Sequence, residues 1–154
     1  MKGCESVAKI NTTVGNVSVK LDTKRIDRNV KEAQRLLNIA VRTDCEPLVP
    51  MLNGQLRRSA NFPEGVYGGV LEYNTPYAHY QYVGKVYGPN IPRIDETTGE
   101  VIGWYSPKGK EKHPTGKMMK NYSESGTGPE WFAKAKERHG DKWLRLVREE
   151  AGKG

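Results

Sequence analysis

One run of sequence constrains the fold more than any other. From Lys24 to Cys45 the apolar positions are Ile26, Val30, Ala33, Leu37, Ala40, Val41 and Cys45. Steps of three and four draw a single stripe along a helix of about six turns. Asp22 or Thr23 can cap its start. Pro47 and Pro50 end it. A helix this long with one apolar face needs something to bury that face, so the rest of the chain is expected to pack on it. Arg28 and Glu32 lie four apart on the other face and are expected to form a solvated pair. Cys45 continues the stripe and reads as a small buried hydrophobe.

A second helix closes the chain. Thr127-Gly128-Pro129-Glu130 carries a capping-box spacing with proline in the first turn. Trp131, Ala135, Trp143 and Val147 fall on one stripe, supported by Phe132 and Leu146. Gly140 is expected to break or kink this helix. The helix should pack on a sheet beside the first one.

The middle of the chain changes period. Asn16 to Leu21 alternates Val17, Val19 and Leu21 with polar residues, as a strand does. Asn53-Gly54 signals a turn, and Leu56 starts a segment leading to Ala60 and Phe62. Gly65 to Tyr73 reads as a strand, paired with Ser59–Phe62 through Pro63-Glu64-Gly65. Asn74-Thr75-Pro76 is a further turn. Residues 84–129 hold 13 of the 26 Gly and Pro residues and form the irregular part. Within them, Ile91–Asp95 and Glu100–Tyr105 flank Glu96-Thr97-Thr98-Gly99 as a hairpin. Lys108 to Ser125 lacks periodicity and is expected to be mobile. The expected class is α+β: a small antiparallel sheet packed against a long N-terminal helix and a C-terminal helix, with a long irregular loop and hairpin insertion. The expected organisation is a single domain, 1–154. It comprises an N-terminal segment (1–15), a strand–helix–sheet core (16–83), a Gly/Pro-rich loop (84–126, hairpin 91–105) and a C-terminal helix (127–151).

Composition narrows the function. A chain of 154 residues with 36% apolar content has a lean core. Part of it is expected to become ordered only against a partner. No run approaches the roughly 18 apolar residues of a membrane span. The start, Met1-Lys2-Gly3-Cys4-Glu5-Ser6, lacks the apolar stretch of a secretory signal, which also argues against a lipid-modified Cys4. Cys4 and Cys45 have no C-x-x-C spacing, so a disulfide framework is not expected. The net charge of +7 divides into +5 over residues 1–60, −3 over 61–106 and +5 over 107–154. Basic ends flanking an acidic middle suit either nucleic-acid contact or self-complementary association.

Catalytic chemistry leaves little trace. His79, His113 and His139 are scattered, and no Cys/His cluster has metal-ligand spacing. Residues Gly109 to Met118 superficially resemble a phosphate loop. The glycines are too far apart, Met118 stands where a Ser/Thr would hold magnesium, and no strand precedes it. There is no G-x-S-x-G. Glu149-Glu150 sits on an exposed helix end. No catalytic, metal-binding or cofactor-binding residue is expected, although a site dispersed along the sequence would escape this reading. Six of the eight tyrosines lie between Tyr67 and Tyr87. Such density suits a wet interface, and equally rings covering a sheet. The candidate interface residues are Tyr67, Tyr73, Tyr77, Tyr80, Tyr82, Tyr87, Trp104 and Tyr105.

The order of motifs carries a resemblance. A long helix ending in Cys45-Glu46-Pro47-Leu48-Val49-Pro50 precedes Asn53-Gly54-x-Leu56-Arg57-Arg58-Ser59. Then come Asn74-Thr75-Pro76-Tyr77-Ala78-x-Tyr80-Gln81-Tyr82-Val83-Gly84, a basic loop with Lys112-His113-Pro114, and Trp131-Phe132-Ala133-Lys134-Ala135-Lys136. From about residue 16 onward this resembles the minor capsid protein family of tailed bacteriophages and prophages. That family is similar to head–tail connector and tail-completion proteins. Asn53 stands where the family has a small hydroxyl residue, and residues 86–107 look longer than in compact members. The resemblance marks Pro50, Gly54, Leu56, Ser59, Pro76, Tyr77, Ala78, Gly84, Trp131 and Phe132 as structural motif positions.

The resemblance implies a non-enzymatic virion protein of the neck, made in the host bacterial cytoplasm and built into the head–tail junction. It implies rings of identical subunits, docked to other phage neck or tail proteins. Genomic DNA would pass nearby without sequence recognition. No cofactor, membrane or small-molecule ligand is implied. A basic nucleic-acid-binding protein is the alternative.

Overall fold

A computed structural model describes residues 9–120, 122 and 124–153. The α+β class holds. The strands pair as four separate two-stranded antiparallel ribbons. The chain divides into two compact units.

The first unit contains the described residues up to Asp44, together with Asn61–Glu72 and Ala135 onward. It opens with β1 (Lys9–Val14) and β2 (Val17–Asp22), paired in register from Lys9↔Asp22 to Val14↔Val17. Gly15, at φ 62°, supplies the left-handed residue that this tight turn needs. The β1 strand was not foreseen. Helix α1 spans Lys24–Cys45, as its stripe demands. Its stripe is not covered throughout. Ala33 is buried, yet Ile26 is 53% and Val30 52% exposed. Glu32 takes Arg35 as its ion-pair partner (2.8 Å) and accepts the Tyr67 hydroxyl (3.1 Å), not Arg28 as expected.

Residues 65–71 do not form the expected strand. Two-residue β3 (Ala60–Asn61) and β4 (Glu72–Tyr73) pair, and a turn-rich segment joins them. The cause lies on α1. Buried Asn38 donates its amide to the carbonyls of Val66 (2.7 Å) and Gly68, and Gln34 donates to Gly68 (3.4 Å). Gly65 adopts φ 80°. The carbonyls that a sheet ladder would use are taken by helix side chains.

The last helix, α4, covers Trp131–Ala151 and runs unbroken through Gly140. Within the first unit it lies beside α1. Trp143 donates its indole N–H to Asp44 (2.7 Å), Lys142 pairs with the same carboxylate (3.1 Å), and Asn29 donates to the Lys153 carbonyl (2.7 Å). Burial alone pushes the Asp44 carboxyl up. The hydrogen bonds from Trp143 and Lys142, with the ammonium charge, outweigh it and hold the group below the ordinary carboxylate range.

The second unit contains Cys45–Ala60 and Tyr73–Lys134. A 3₁₀ turn at Glu46–Leu48 accommodates Pro47. Helix α2 spans Gln55–Arg58 and α3 spans Ala78–Val83. Cys45, Leu48, Val49, Leu56, Ala60, Ala78 and Trp131 are buried, so the lean core of this unit is made of three aliphatic side chains, a cysteine, two alanines and one tryptophan. Tyr73 and Tyr82 set their edges against Trp131, with centroids at 5.4 and 4.8 Å. Gly84 ends α3 at φ 69°, and a Cβ there would lie 2.7 Å from Pro129.

The segment expected to be mobile contains a strand. β8 (His113–Met118) pairs with β5 (Lys85–Gly88). Thr115 bonds the Val86 carbonyl (2.8 Å), and the amide of Met119 bonds that of Gly84 (2.8 Å). The fragment that resembled a phosphate loop therefore ends in an antiparallel strand. The capping box does not form. The Thr127 hydroxyl bonds Glu124 (2.7 Å), and Glu130 adopts φ 54° with its amide on the Tyr82 carbonyl (2.9 Å). The hairpin lies where its loop places it, as β6 (Ile91–Ile94) and β7 (Val101–Tyr105).

Candidate functional site

Two features of the second unit stand out, one concave and one projecting. The concave one is a groove of about 380 Å³ lined by Pro50, Met51, Leu52, Asn53, Gln55, Leu56, Tyr77, Gln81 and Tyr122. Local sequence builds it. Pro50 follows the 3₁₀ turn, and Gly54 at φ 75° reverses the chain into α2. Asn53 accepts the Gln55 amide (3.1 Å), and α2 points Leu56 into the core. Arg57 clamps the loop from behind. It donates to the Val49 carbonyl (3.0 Å), reaches the Met51 sulfur (3.3 Å) and pairs with Glu124.

The groove's chemistry is that of a binding surface. Its lining holds no carboxylate, histidine or thiol. Leu52 is 90% exposed at its lip. Arg58 donates to the Asn53 carbonyl (2.9 Å) and makes no ion pair among the described residues, which leaves a cation at this edge. Among the described residues the buried Tyr122 hydroxyl has no hydrogen-bond partner, and burial pushes its phenol pKa up.

The projecting feature is the β6–β7 hairpin. Its register runs Ile91↔Tyr105, Pro92↔Trp104 and Arg93↔Gly103, then shifts before Ile94↔Val101. The Pro92↔Trp104 pair lies on one face of the ribbon. The shift leaves Ile102 unpaired between Val101 and Gly103, and Ile94, Val101, Ile102 and Trp104 are all exposed. Ile102 is 68% and Trp104 66% exposed. On the other face the Arg93 guanidinium lies 5.9 Å from the Tyr105 ring. The loop carries Asp95, Glu96 and Glu100, which make no ion pair among the described residues. Asp95 instead accepts the Thr97 amide (2.8 Å).

The aromatic residues singled out by sequence are spread over several places. Tyr73 and Tyr82 flank Trp131. The Tyr80 and Tyr87 rings lie 4.7 Å apart, tilted by 56°, with His79 edge-on at 5.8 and 6.4 Å. Tyr77 lines the groove, Tyr67 bonds Glu32, and Trp104 and Tyr105 lie on the hairpin. Tyr77 to Tyr82 belong to helix α3 and its N-terminal boundary, not to a sheet. Of the motif positions, Pro50, Leu56 and Tyr77 line the groove and Gly54 forms its turn. Ser59 bonds the Leu56 carbonyl (2.7 Å), Ala78 and Trp131 are buried, and Phe132 and Pro76 are exposed. Sequence reasoning passed over Leu52, Arg58, Gln81, Tyr122, Ile94 and Ile102. An apolar pair, Met51-Leu52, directly before a turn signal was the available hint. Among the described residues no group of three or more His, Cys, Asp or Glu is placed to hold a metal ion, and no helix is long and apolar enough to cross a membrane. Cys4 lies outside the described residues.

The second unit of this α+β chain thus carries an apolar groove and an exposed apolar hairpin. The family model for minor capsid proteins matches residues 10–150, and the chain belongs to that family. It is a bacteriophage structural protein and a component of the virion. No curated protein and no solved structure matches the chain.

Proposed function

We propose that this protein is a non-catalytic structural subunit of the head–tail junction. It forms rings of identical subunits that dock to neighbouring neck or tail proteins. Membership of the minor capsid family supports a structural role. The exposed hairpin is the observation that carries self-assembly. A two-stranded ribbon is marginal alone in water. This one exposes Ile94, Ile102 and Trp104, which a monomer has no reason to keep in solvent. Covering such side chains stabilises an interface by on the order of 1 kcal/mol or more each.

Immunogold electron microscopy of tailed particles tests the placement. Label confined to the head–tail junction is the expected result. Label along the tail or over the head refutes the junction while keeping the virion role.

A second reading has its own observation. Lys24, Arg28, Lys31, Arg35 and Arg42 recur at helical spacing along α1, with Arg35 engaged by Glu32. Such a stripe suits duplex DNA passing close by. If it binds DNA directly, affinity falls with salt at a log–log slope of about −4 for four or five neutralised phosphates. A flat salt response refutes that reading.

A further inference from the structure

We infer that the β6–β7 hairpin of one subunit seats in the Pro50–Leu56 groove of a second copy of the same chain. This deepens the proposed function, because it rests on the chain being a self-associating virion subunit. It names the two surfaces that meet.

Three observations converge on a second copy. The shapes are complementary in kind, one a narrow projecting ribbon and the other a groove of about 380 Å³. Both are apolar where they would touch. The hairpin offers Ile94, Ile102 and Trp104, and the groove offers Pro50, Met51, Leu52 and Leu56. A large aromatic anchor entering a preformed apolar pocket is the arrangement that concentrates interface energy.

The charges are complementary at the rims. The hairpin loop carries Asp95, Glu96 and Glu100, none in an ion pair among the described residues. The groove edge carries Arg58, whose guanidinium is held by the Asn53 carbonyl and likewise lacks an ion pair there. A carboxylate beside Ile94 would meet this cation as the exposed apolar side chains seat. Rim charges of this kind set register and speed of encounter. The pairing is also asymmetric. Hairpin and groove are different patches, so each subunit gives one and receives one. Such heterologous contacts propagate head to tail and close into a ring when the rotation allows.

The test uses the purified full chain and light scattering after size exclusion. A hairpin variant, I102D/W104D, and a groove variant, L52D/R58E, each alter exposed side chains, and circular dichroism checks that both remain folded. Wild type is expected to give concentration-dependent oligomers. Each variant alone should be monomeric, with association weakened ~30-fold or more. An equimolar mixture of the two should give a heterodimer and nothing larger, because only one intact hairpin–groove pair remains. As a second reading, E96K/E100K should weaken association and R58E should partly restore it in the same chain.

Wild type that stays monomeric, a variant that assembles like wild type, or a mixture that stays monomeric overturns the inference. The proposed function fails separately. Loss of junction label with heterodimers intact sinks only the placement in the virion. Junction label with variants that assemble normally sinks only the hairpin–groove contact.

Discussion

Replacing Asp44 by alanine should cost the protein about 2 kcal/mol, and the structure gives each contribution. Asp44 accepts the indole N–H of buried Trp143 at 2.7 Å and an ammonium hydrogen bond from Lys142 at 3.1 Å. Its carboxylate is only 11% exposed. A hydrogen bond to a charged acceptor contributes ~1.5–3 kcal/mol. The half-exposed Lys142 adds at most ~1 kcal/mol. Against this, a negative charge in the last turn of α1 opposes the helix dipole, and removing it returns ~0.3–1 kcal/mol. The indole bond therefore decides the sign. For a chain of this size the loss corresponds to a fall in Tm of roughly 4–8 °C. Asp44→Asn keeps an acceptor but loses the charge and should cost ~1 kcal/mol.

Urea unfolding at several pH values separates the parts. The folded-state pKa of Asp44 lies below its unfolded value. The stability it contributes is thus fully present above the unfolded carboxylate pKa of about 3.9 and is lost as pH falls through the lower folded value. The gap between wild type and Asp44→Asn should be constant from pH 7 to about 5 and then close. An Asp44→Ala variant within about 0.5 kcal/mol of wild type would place the residue among ordinary surface positions and refute the reasoning. So would a gap to Asp44→Asn that ignores pH.

Other predictions are read from single positions. Gly84→Ala should destabilise by at least ~1 kcal/mol, because φ 69° and the 2.7 Å approach to Pro129 both oppose a Cβ; an unchanged thermal midpoint would contradict this. Asn38→Ala should cost ~1–3 kcal/mol and speed amide exchange around residues 65–69, since the Val66 and Gly68 carbonyls lose their shared donor. In a Cys4→Ser background, the Cys45 thiol should react with an aromatic disulfide reagent only on unfolding, because it is 1% exposed; rapid native labelling would show the helix end opening.

Much of this was legible in the sequence, and particular residues show why. The stripe from Ile26 to Cys45 fixed the limits of α1, because helical period and terminating prolines are local properties. Asn53-Gly54 and Thr98-Gly99 announced turns for the same reason. The strand expected at Gly65–Tyr73 failed although its residues suit a strand. Asn38 and Gln34, some thirty residues away, capture its carbonyls, and nothing within the segment announces this. The capping box at Thr127 failed because Tyr82, distant in sequence, takes the Glu130 amide. His113–Met118 has no alternation and becomes a strand only through pairing with Lys85–Gly88.

The sequence by itself determined the class, the two long helices, the β6–β7 hairpin and the family, since each rests on short-range period, turn chemistry or motif order. The tertiary structure decided which apolar residues are left over. Ile26 and Leu37 share one stripe in sequence, yet Ile26 is exposed and Leu37 is not. Tyr82 and Trp104 are both aromatic, yet only Tyr82 finds Trp131. Burial depends on what lies opposite, which is a long-range property. The groove, formed by residues 50–56 with Tyr77, Gln81 and Tyr122, therefore exists only once the chain has folded.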